Sequence, residues 1–199
     1  MSSGILQKIQ IIDRFLAQLN LVTPLTTNSR GDLIFEAYCY FRKARELADR
    51  GKTPVPCNTS GGVFAPHSKP GNPRTASYIS FEDPLGEDLN LYLNCSFSGK
   101  SRVEHSPDIV LTRSGTREDV VSVYECKNHS GRLGLTAYRE FLGYCLEMRL
   151  LSIGPGSERL RTLRGAYPES KPCIYTSSLA HSTHRKIGVT YGFDVIDQL

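Results

Sequence analysis

The spacing of apolar residues divides the chain into helical and extended segments. Over 5–19, apolar residues recur at alternating steps of four and three, which is the spacing of one helical face and predicts a helix. A second helix is expected from about Asp32, in the N-cap region, to Arg50, with Gly51 as its stop signal. The chain therefore begins with two amphipathic helices.

The stretch 51–75 is dense in glycine and proline, and we predict a long, flexible loop there. Loops of this length in compact domains are usually functional or mobile. Two interpretations are left open, a cover over a substrate groove and a segment without fixed structure.

Beyond this loop the apolar period becomes that of strands. The segments are short, rich in β-branched or aromatic residues and separated by turn signals, and they span 75–82, 88–97, 107–113 and 119–127. A turn near 114–118 predicts that the last two strands pair as part of an antiparallel meander.

The C-terminal part alternates between helix and strand. The expected elements are a helix over 134–151, a polar irregular segment over 152–171, a buried strand over 173–178, a short helix over 179–188, a turn at Gly192 and a last strand over 193–197. The whole order predicts one α/β domain over 1–199, with N-terminal helices in 5–50, a catalytic core in 76–199, and a mixed sheet that has helices on both faces.

Composition narrows the classes of function. The 199 residues include 39% hydrophobic and 22% charged residues, which is typical of a globular protein, and the net charge of +4 permits nucleic-acid binding without requiring it. Six cysteines occur singly, which favours reduced thiols over a zinc cluster. No apolar window is long enough to span a membrane, and the N-terminus reads as an amphipathic helix and not a signal peptide. We therefore expect a cytoplasmic protein without a membrane partner.

The residues that carry chemistry lie in 107–128. Asp108 opens one predicted strand, and Glu125 and Lys127 stand two apart near the end of the next. Residues i and i+2 of a strand share a face, so Glu125 and Lys127 project together and the Cys126 side chain points away. If the two strands pair through the turn, Asp108 lies at the same end as Glu125.

Two carboxylates and one ammonium group suit phosphodiester hydrolysis. Carboxylate oxygens, with the backbone carbonyl of Cys126 as a further ligand, form a hard-oxygen site for Mg²⁺ or Mn²⁺. A metal ion held there polarises a phosphoryl oxygen and lowers the pKa of water. Lys127 can hold the attacking water or stabilise negative charge in the transition state.

The motif Pro107-Asp108 followed by Glu125-Cys126-Lys127 resembles the signature of the PD-(D/E)xK nucleases, which have the restriction-endonuclease-like fold. The resemblance implies that Asp108 and Glu125 bind Mg²⁺ and that Lys127 activates water. Many members add a glutamate from a helix before the meander, and Glu36 is the residue in that place. Some carry glutamine and tyrosine four residues apart in the following helix. The matching positions here are Glu140 and Tyr144, and the glutamate at 140 departs from that pattern.

A polar segment follows the motif directly and is a candidate contact for nucleic-acid phosphates. Its members, together with one arginine of the next helix, are Asn128, His129, Ser130, Arg132 and Arg139. Basic residues also flank the motif on both sides, among them Lys100, Arg102 and Arg149.

The first hypothesis is an Mg²⁺-dependent endonuclease that acts on DNA in restriction, repair or mobile-element defence. RNA as the substrate and a homodimer that acts on both strands are left open. The second hypothesis is a catalytically inactive nucleic-acid-binding or protein-scaffolding module on the same fold. The third is an α/β interaction domain in which the motif is accidental.

Overall fold

A seven-stranded mixed sheet forms the centre of the structure, in the order β1-β2-β3-β6-β7-β8-β9. The structure is a computed structural model that describes residues 3–25, 29–65, 67, 69–82, 88–113, 120–151 and 171–199. The strands are β1 (Thr53–Cys57), β2 (Tyr78–Glu82), β3 (Leu89–Leu93), β4 (Phe97–Ser98), β5 (Glu104–His105), β6 (Ile109–Arg113), β7 (Val120–Lys127), β8 (Cys173–Thr176) and β9 (Asp194–Ile196). The helices are α1 (Ser3–Gln18), α2 (Gly31–Asp49), α3 (Leu135–Glu147) and α4 (Ser182–Tyr191).

The direction of strand pairing changes at β7. From β1 to β7 the neighbouring strands are antiparallel, and β7, β8 and β9 are parallel. The β6–β7 pair is the antiparallel meander that the sequence predicts. Since β7 has a partner on each side and helices over each face, six of its eight residues are buried.

Helices α1 and α2 cover one face of the sheet, and α3 and α4 cover the other, each with its own apolar core. Tyr40 of α2 joins its helix to the sheet through a fully buried hydroxyl, which donates to the carbonyl oxygen of Leu91 at 2.8 Å and accepts from the N–H of Ile79 at 3.1 Å. The predicted α/β class, with a mixed sheet between two helical layers, is confirmed.

The segment predicted as a long loop contains an edge strand. Thr53–Cys57 pairs with β2 along its length, although it contains Pro54 and Pro56. Proline is tolerated at a sheet edge because the missing N–H is not needed by a second neighbour. The loop prediction for 51–75 is therefore wrong for the part of it that forms β1.

Three other boundaries differ from those expected. Helix α2 begins at Gly31, with Arg30 as N-cap, and Asp32 lies in its first turn paired with Arg30. The strand predicted over 88–97 ends at Leu93, because Asn94 has a φ of 53°. Helix α3 ends at Glu147 and not at 151.

The last helix, α4, starts after His181, whose ring nitrogen accepts from the N–H of Thr183 at 3.2 Å. It ends at Tyr191, before the predicted turn residue Gly192, which has a φ of 82°. The predicted turns at 83–86 and 114–118, and all of the predicted irregular segment 152–171 except Lys171, lie outside the described residues. None of the helices in the described part of the chain has the length and apolar composition needed to cross a bilayer.

Candidate active site

Strand pairing brings Asp108 and Glu125 together at one end of β6 and β7. The antiparallel register places Ile109 opposite Tyr124, so Asp108 is adjacent to Glu125. The backbone N–H of Cys126 donates a hydrogen bond to the Asp108 carboxylate at 2.6 Å. The juxtaposition expected from the sequence is therefore found, and a backbone contact fixes the Asp108 side chain.

The alternation of β7 separates the charged pair from the cysteine between them. Lys127 Nζ donates to Glu125 Oε1 at 2.6 Å, so both side chains project from the same face. Cys126 lies in the core under α2, beside Cys39. The predicted arrangement of these three residues is confirmed, and the Cys126 thiol is not part of the charged cluster.

Burial and like charge make the carboxylates hard to ionise. Burial raises the pKa of Asp108 well above its usual range, and the neighbouring Glu125 and Glu36 carboxylates raise it further. Burial also raises the pKa of Glu125, which is 7% exposed, against the opposing effect of the Lys127 ammonium group. The site thus concentrates negative charge that one lysine only partly offsets.

Lys127 remains a cation in this setting. Burial by itself would lower the pKa of its ammonium group, but the Glu125 carboxylate outweighs that effect, with further contributions from Asp108 and Glu140. The net result is a raised pKa. Lys127 can therefore act as a hydrogen-bond donor and a positive charge, but not as a base at neutral pH.

Glu36 reaches this end of the sheet from α2. Its half-buried carboxylate accepts a hydrogen bond from the side-chain amide of Asn94 at 2.9 Å. Burial raises the pKa of Glu36, and the Asn94 amide lowers it. Since Glu36 in turn raises the pKa of Asp108, the structure places the third predicted carboxylate within electrostatic range of the other two.

Asn94 is the site residue that the sequence analysis missed. It follows β3, is 7% exposed, and its N–H donates to the carbonyl oxygen of Asp108 at 2.7 Å. Its side-chain amide also donates to the carbonyl oxygen of His67 at 2.9 Å. The sequence gives little sign of this role, because Asn94 falls on a polar position of the alternation in 88–97 and only the readiness of asparagine to adopt positive φ sets it apart.

The donor set fits a hard divalent cation by its chemistry. Glu125 Oε2 is buried and has no hydrogen-bond partner among the described residues, although nearly all such atoms in proteins have one. Glu125 and Glu36 raise the pKa of Asp108, and Glu125 raises that of Glu36. A divalent cation stabilises closely spaced carboxylates of this kind. Within the described ranges, no three His, Cys, Asp or Glu side chains form a ready-made metal-binding group. Each of the three carboxylates accepts a hydrogen bond from the protein.

Helix α3 adds two residues to the surroundings of the cluster. Glu140 raises the pKa of Glu125. Burial raises the pKa of the Tyr144 hydroxyl, and the charges of Glu125, Lys127 and Asp108 also act on it. The ring of Tyr144 also contacts that of His105 in β5, with 6.0 Å between centroids. The pair of α3 residues singled out in the sequence therefore does lie beside the motif.

The five predicted nucleic-acid contacts are all exposed around the end of β7 and the first turns of α3. Two of them are engaged by the protein: Ser177 Oγ donates to Asn128 Oδ1 at 3.0 Å and accepts from the N–H of His129 at 3.1 Å. The Asn128 side chain thus braces the loop after β7. The side chains of Ser130, Arg132 and Arg139 stay open to solvent and suit phosphate contacts better.

Comparisons with family models, with curated proteins and with solved structures find no match for this chain.

Proposed function

We propose that this protein is an Mg²⁺- or Mn²⁺-dependent endonuclease of the PD-(D/E)xK type, with a restriction-endonuclease-like fold, that hydrolyses phosphodiester bonds in DNA. The observation that carries the proposal is the meeting of Asp108, Glu125 and Lys127 at one end of β6 and β7, with a buried Glu125 oxygen left without a partner among the described residues. Restriction, repair and mobile-element defence are the settings in which such an activity is used.

Asp108, Glu125 and Glu36 would hold the metal ion, with the carbonyl oxygen of Cys126 as a further ligand. When bound, the ion supplies polarisation of a phosphoryl oxygen and acidification of water. In the reaction, the oxygen of water bonds to phosphorus, one P–O ester bond breaks, and the leaving oxygen takes up a proton.

The protein's own residues supply orientation and charge. The Cys126 N–H keeps the Asp108 carboxylate directed at the end of the sheet, and the Asn94 amide does the same for Glu36. Lys127 can donate a hydrogen bond to the attacking water or to a phosphoryl oxygen, where its charge stabilises the transition state.

A cleavage assay with matched variants tests the proposal. Purified protein is incubated with plasmid, single-stranded DNA and RNA, each in Mg²⁺, Mn²⁺ or EDTA. We expect cutting of DNA that needs the metal, and a loss of about 100- to 1000-fold in rate for Asp108→Ala and Lys127→Ala. Lys186→Ala, which removes an exposed lysine of α4, serves as control and should cut normally.

Two results would reject the mechanism: cutting that persists in EDTA, and full activity in both Asp108→Ala and Lys127→Ala with their folds intact by circular dichroism. If the protein cuts RNA and not DNA, the proposed mechanism stands and the proposed substrate is wrong.

One observation favours the second candidate, a nucleic-acid-binding module without catalysis. Each carboxylate of the described site already has a protein hydrogen-bond donor, and these residues do not form a preassembled metal-binding group. DNA binding without cutting in any metal would support this candidate.

A further inference from the structure

A second site lies on the same face of the sheet, at the other end of α3. A cavity of about 530 Å³ opens between the turn that joins β4 to β5 and the C-terminal end of α3, next to Val120 at the start of β7. Three exposed basic residues line it, namely Lys100, Arg102 and Arg149. The lining as a whole is more polar than apolar, which suits an anion better than an apolar ligand.

The fold does not use these cations to cap α3. Basic side chains near a helix C-terminus often bind its last carbonyl groups. Here the last four carbonyl oxygens of α3 all accept from backbone N–H groups, which belong to Met148, Leu150, Arg149 and Lys100. The side chains of the three basic residues are therefore left for another partner.

The acidic residue in the cavity is engaged elsewhere. Glu147 Oε2 accepts from both the N–H and the hydroxyl of Ser101, at 3.0 and 2.7 Å, and lies 3.7 Å from His105 Nε2. None of the three cations forms an ion pair with a described residue. The described lining residues thus carry a net positive charge, and Glu147 fastens the β4–β5 turn to α3.

Two of the three cations occupy unusual backbone positions. Arg102 has a φ of 65° and Arg149 a φ of 59°, where glycine or asparagine is far more common. The local turns account for both values: Arg149 follows the C-cap of α3, where its N–H donates to the carbonyl oxygen of Leu146, and Arg102 closes the β4–β5 turn with its N–H on the carbonyl oxygen of Gly99. Both turns place their arginine at the same cavity.

A row of neighbouring residues links the cavity to the carboxylate cluster. The charges of the cluster act on the pKa of Tyr144, and the ring of Tyr144 contacts that of His105. His105 in turn lies beside Glu147 at the edge of the cavity. Along β7, Val120 and Glu125 are about 17 Å apart, at about 3.3 Å per residue.

We propose that Lys100, Arg102 and Arg149 bind a backbone phosphate of duplex DNA about 17 Å from the bond that is cut. This inference rests on the proposed function and names the surface along which the DNA lies. Phosphate contacts of this kind position the duplex without reading its sequence, so the site should raise affinity for all DNA sequences alike.

Two charge-matched variants test the inference. The cavity set carries Lys100→Gln, Arg102→Gln and Arg149→Gln. The control set carries Arg14→Gln, Arg42→Gln and Arg45→Gln, three exposed arginines of α1 and α2 on the opposite face of the sheet. Both sets remove three positive charges. A loss of DNA affinity that occurs only in the cavity set therefore cannot be caused by the change in net charge.

Binding of a labelled 24-base-pair duplex is measured by fluorescence anisotropy in EDTA between about 25 and 200 mM salt. The logarithm of the binding constant falls linearly with the logarithm of the salt concentration, and each lost phosphate contact makes that slope shallower by about 0.9. We expect the cavity set to bind at least about tenfold more weakly at low salt with a slope reduced by about 1 to 3. A slope change near 1 fits one phosphate held by all three residues. In cleavage assays the KM of the cavity set should rise while kcat is kept, because uniform binding energy has been removed.

The outcomes separate this inference from the proposed function. Cavity and control sets that bind alike, while the wild-type protein cuts DNA, would overturn the inference and leave the nuclease standing. Wild-type protein that neither binds nor cuts DNA would overturn both. A calorimetric titration with inorganic phosphate is the remaining arm: phosphate binding lost in the cavity set, with equal DNA binding in both sets, would assign the cavity to a free anion and overturn the DNA contact.

Discussion

The side-chain amide of Asn94 donates a 2.9 Å hydrogen bond to the carboxylate of Glu36, which joins the end of β3 to helix α2 at the candidate active site. The backbone of the same residue donates to the carbonyl oxygen of Asp108. One asparagine therefore sets the relative position of two carboxylates that come from distant parts of the chain.

Replacing Asn94 should weaken metal binding more than folding. Asn94→Gly keeps the positive φ of 53° without strain and removes the amide donor. Because residues that orient a metal ligand contribute about 10- to 100-fold to affinity or activity, we expect the Mg²⁺ concentration for half-maximal cleavage to rise by that order. The measurement is a cleavage rate titrated with Mg²⁺.

Asn58→Gly is the matched control for that variant. Asn58 also has a positive φ, of 54°, and its amide donates to the carbonyl oxygens of Ala76 and Arg74, away from the carboxylates. An equal change in Mg²⁺ dependence for both variants would assign Asn94 a structural role only.

Cleavage should depend on pH in a range above that of ordinary carboxylic acids. The pKa values of Asp108 and Glu125 are raised by burial, so each holds its proton to a higher pH than a free carboxyl group, and a metal ion competes with that proton. At low Mg²⁺ we expect the cleavage rate to keep rising with pH well above the ordinary carboxyl pKa values of 3.8 and 4.5. The pH at which the rate is half-maximal should fall as the Mg²⁺ concentration is increased. A profile that is flat down to about pH 5 and insensitive to Mg²⁺ would contradict this.

Asp108→Asn should stabilise the metal-free protein at neutral pH. The raised pKa of Asp108 means that the native state binds its proton more tightly than the unfolded chain, whose carboxyl titrates near 3.8. Wild-type stability is therefore lost as pH rises through the raised value. Asparagine stays neutral and can still accept the hydrogen bond from Cys126, so we expect a gain of about 0.5–2 kcal/mol at pH 7.

Urea denaturation in EDTA at several pH values measures that gain. Below about pH 4 the difference between Asp108→Asn and wild type should vanish, because both carry a neutral side chain there. Added Mg²⁺ should favour the wild-type protein, since the ion binds only its native state. A gain that does not change with pH would show that charge is not its cause.

Two buried tyrosines should respond oppositely to loss of their hydroxyl groups. Tyr40→Phe leaves the buried N–H of Ile79 and carbonyl of Leu91 without that partner, and we expect it to cost about 1–3 kcal/mol. The Tyr138 hydroxyl has no hydrogen-bond partner among the described residues, so Tyr138→Phe should be neutral or stabilising. Thermal or urea unfolding of both variants checks the contrast.

The sequence predicted the parts of the fold that carry a clear apolar period. Helices α1 and α2 and strands β6 and β7 repeat their pattern over enough residues to be recognised. Strand β1 was missed because Pro54 and Pro56 read as loop signals, and only its place at the sheet edge makes them acceptable. Strands β4 and β5 are two residues long and too short to show any period.

In the candidate site, too, the residues that follow a local pattern could be predicted and the others could not. Asp108, Glu125 and Lys127 could be placed together because they lie on adjacent strands, where register follows from local pairing. Asn94 could not be found, because its role depends on contacts with α2 and with the residue before β6 that no local pattern encodes. The basic cavity depends in turn on the packing of the β4–β5 turn against the end of α3.

The dispersal of the carboxylates has a consequence for synthesis on the ribosome. A nascent chain released before β7 carries Glu36, Asn94 and Asp108 but lacks Glu125 and Lys127. Strand β7 in turn gains its second neighbour only when β8 has emerged and paired in parallel. On the proposed function, a growing or broken chain would be harmless to nucleic acid, and hydrolytic capacity would arise only in a finished, folded molecule.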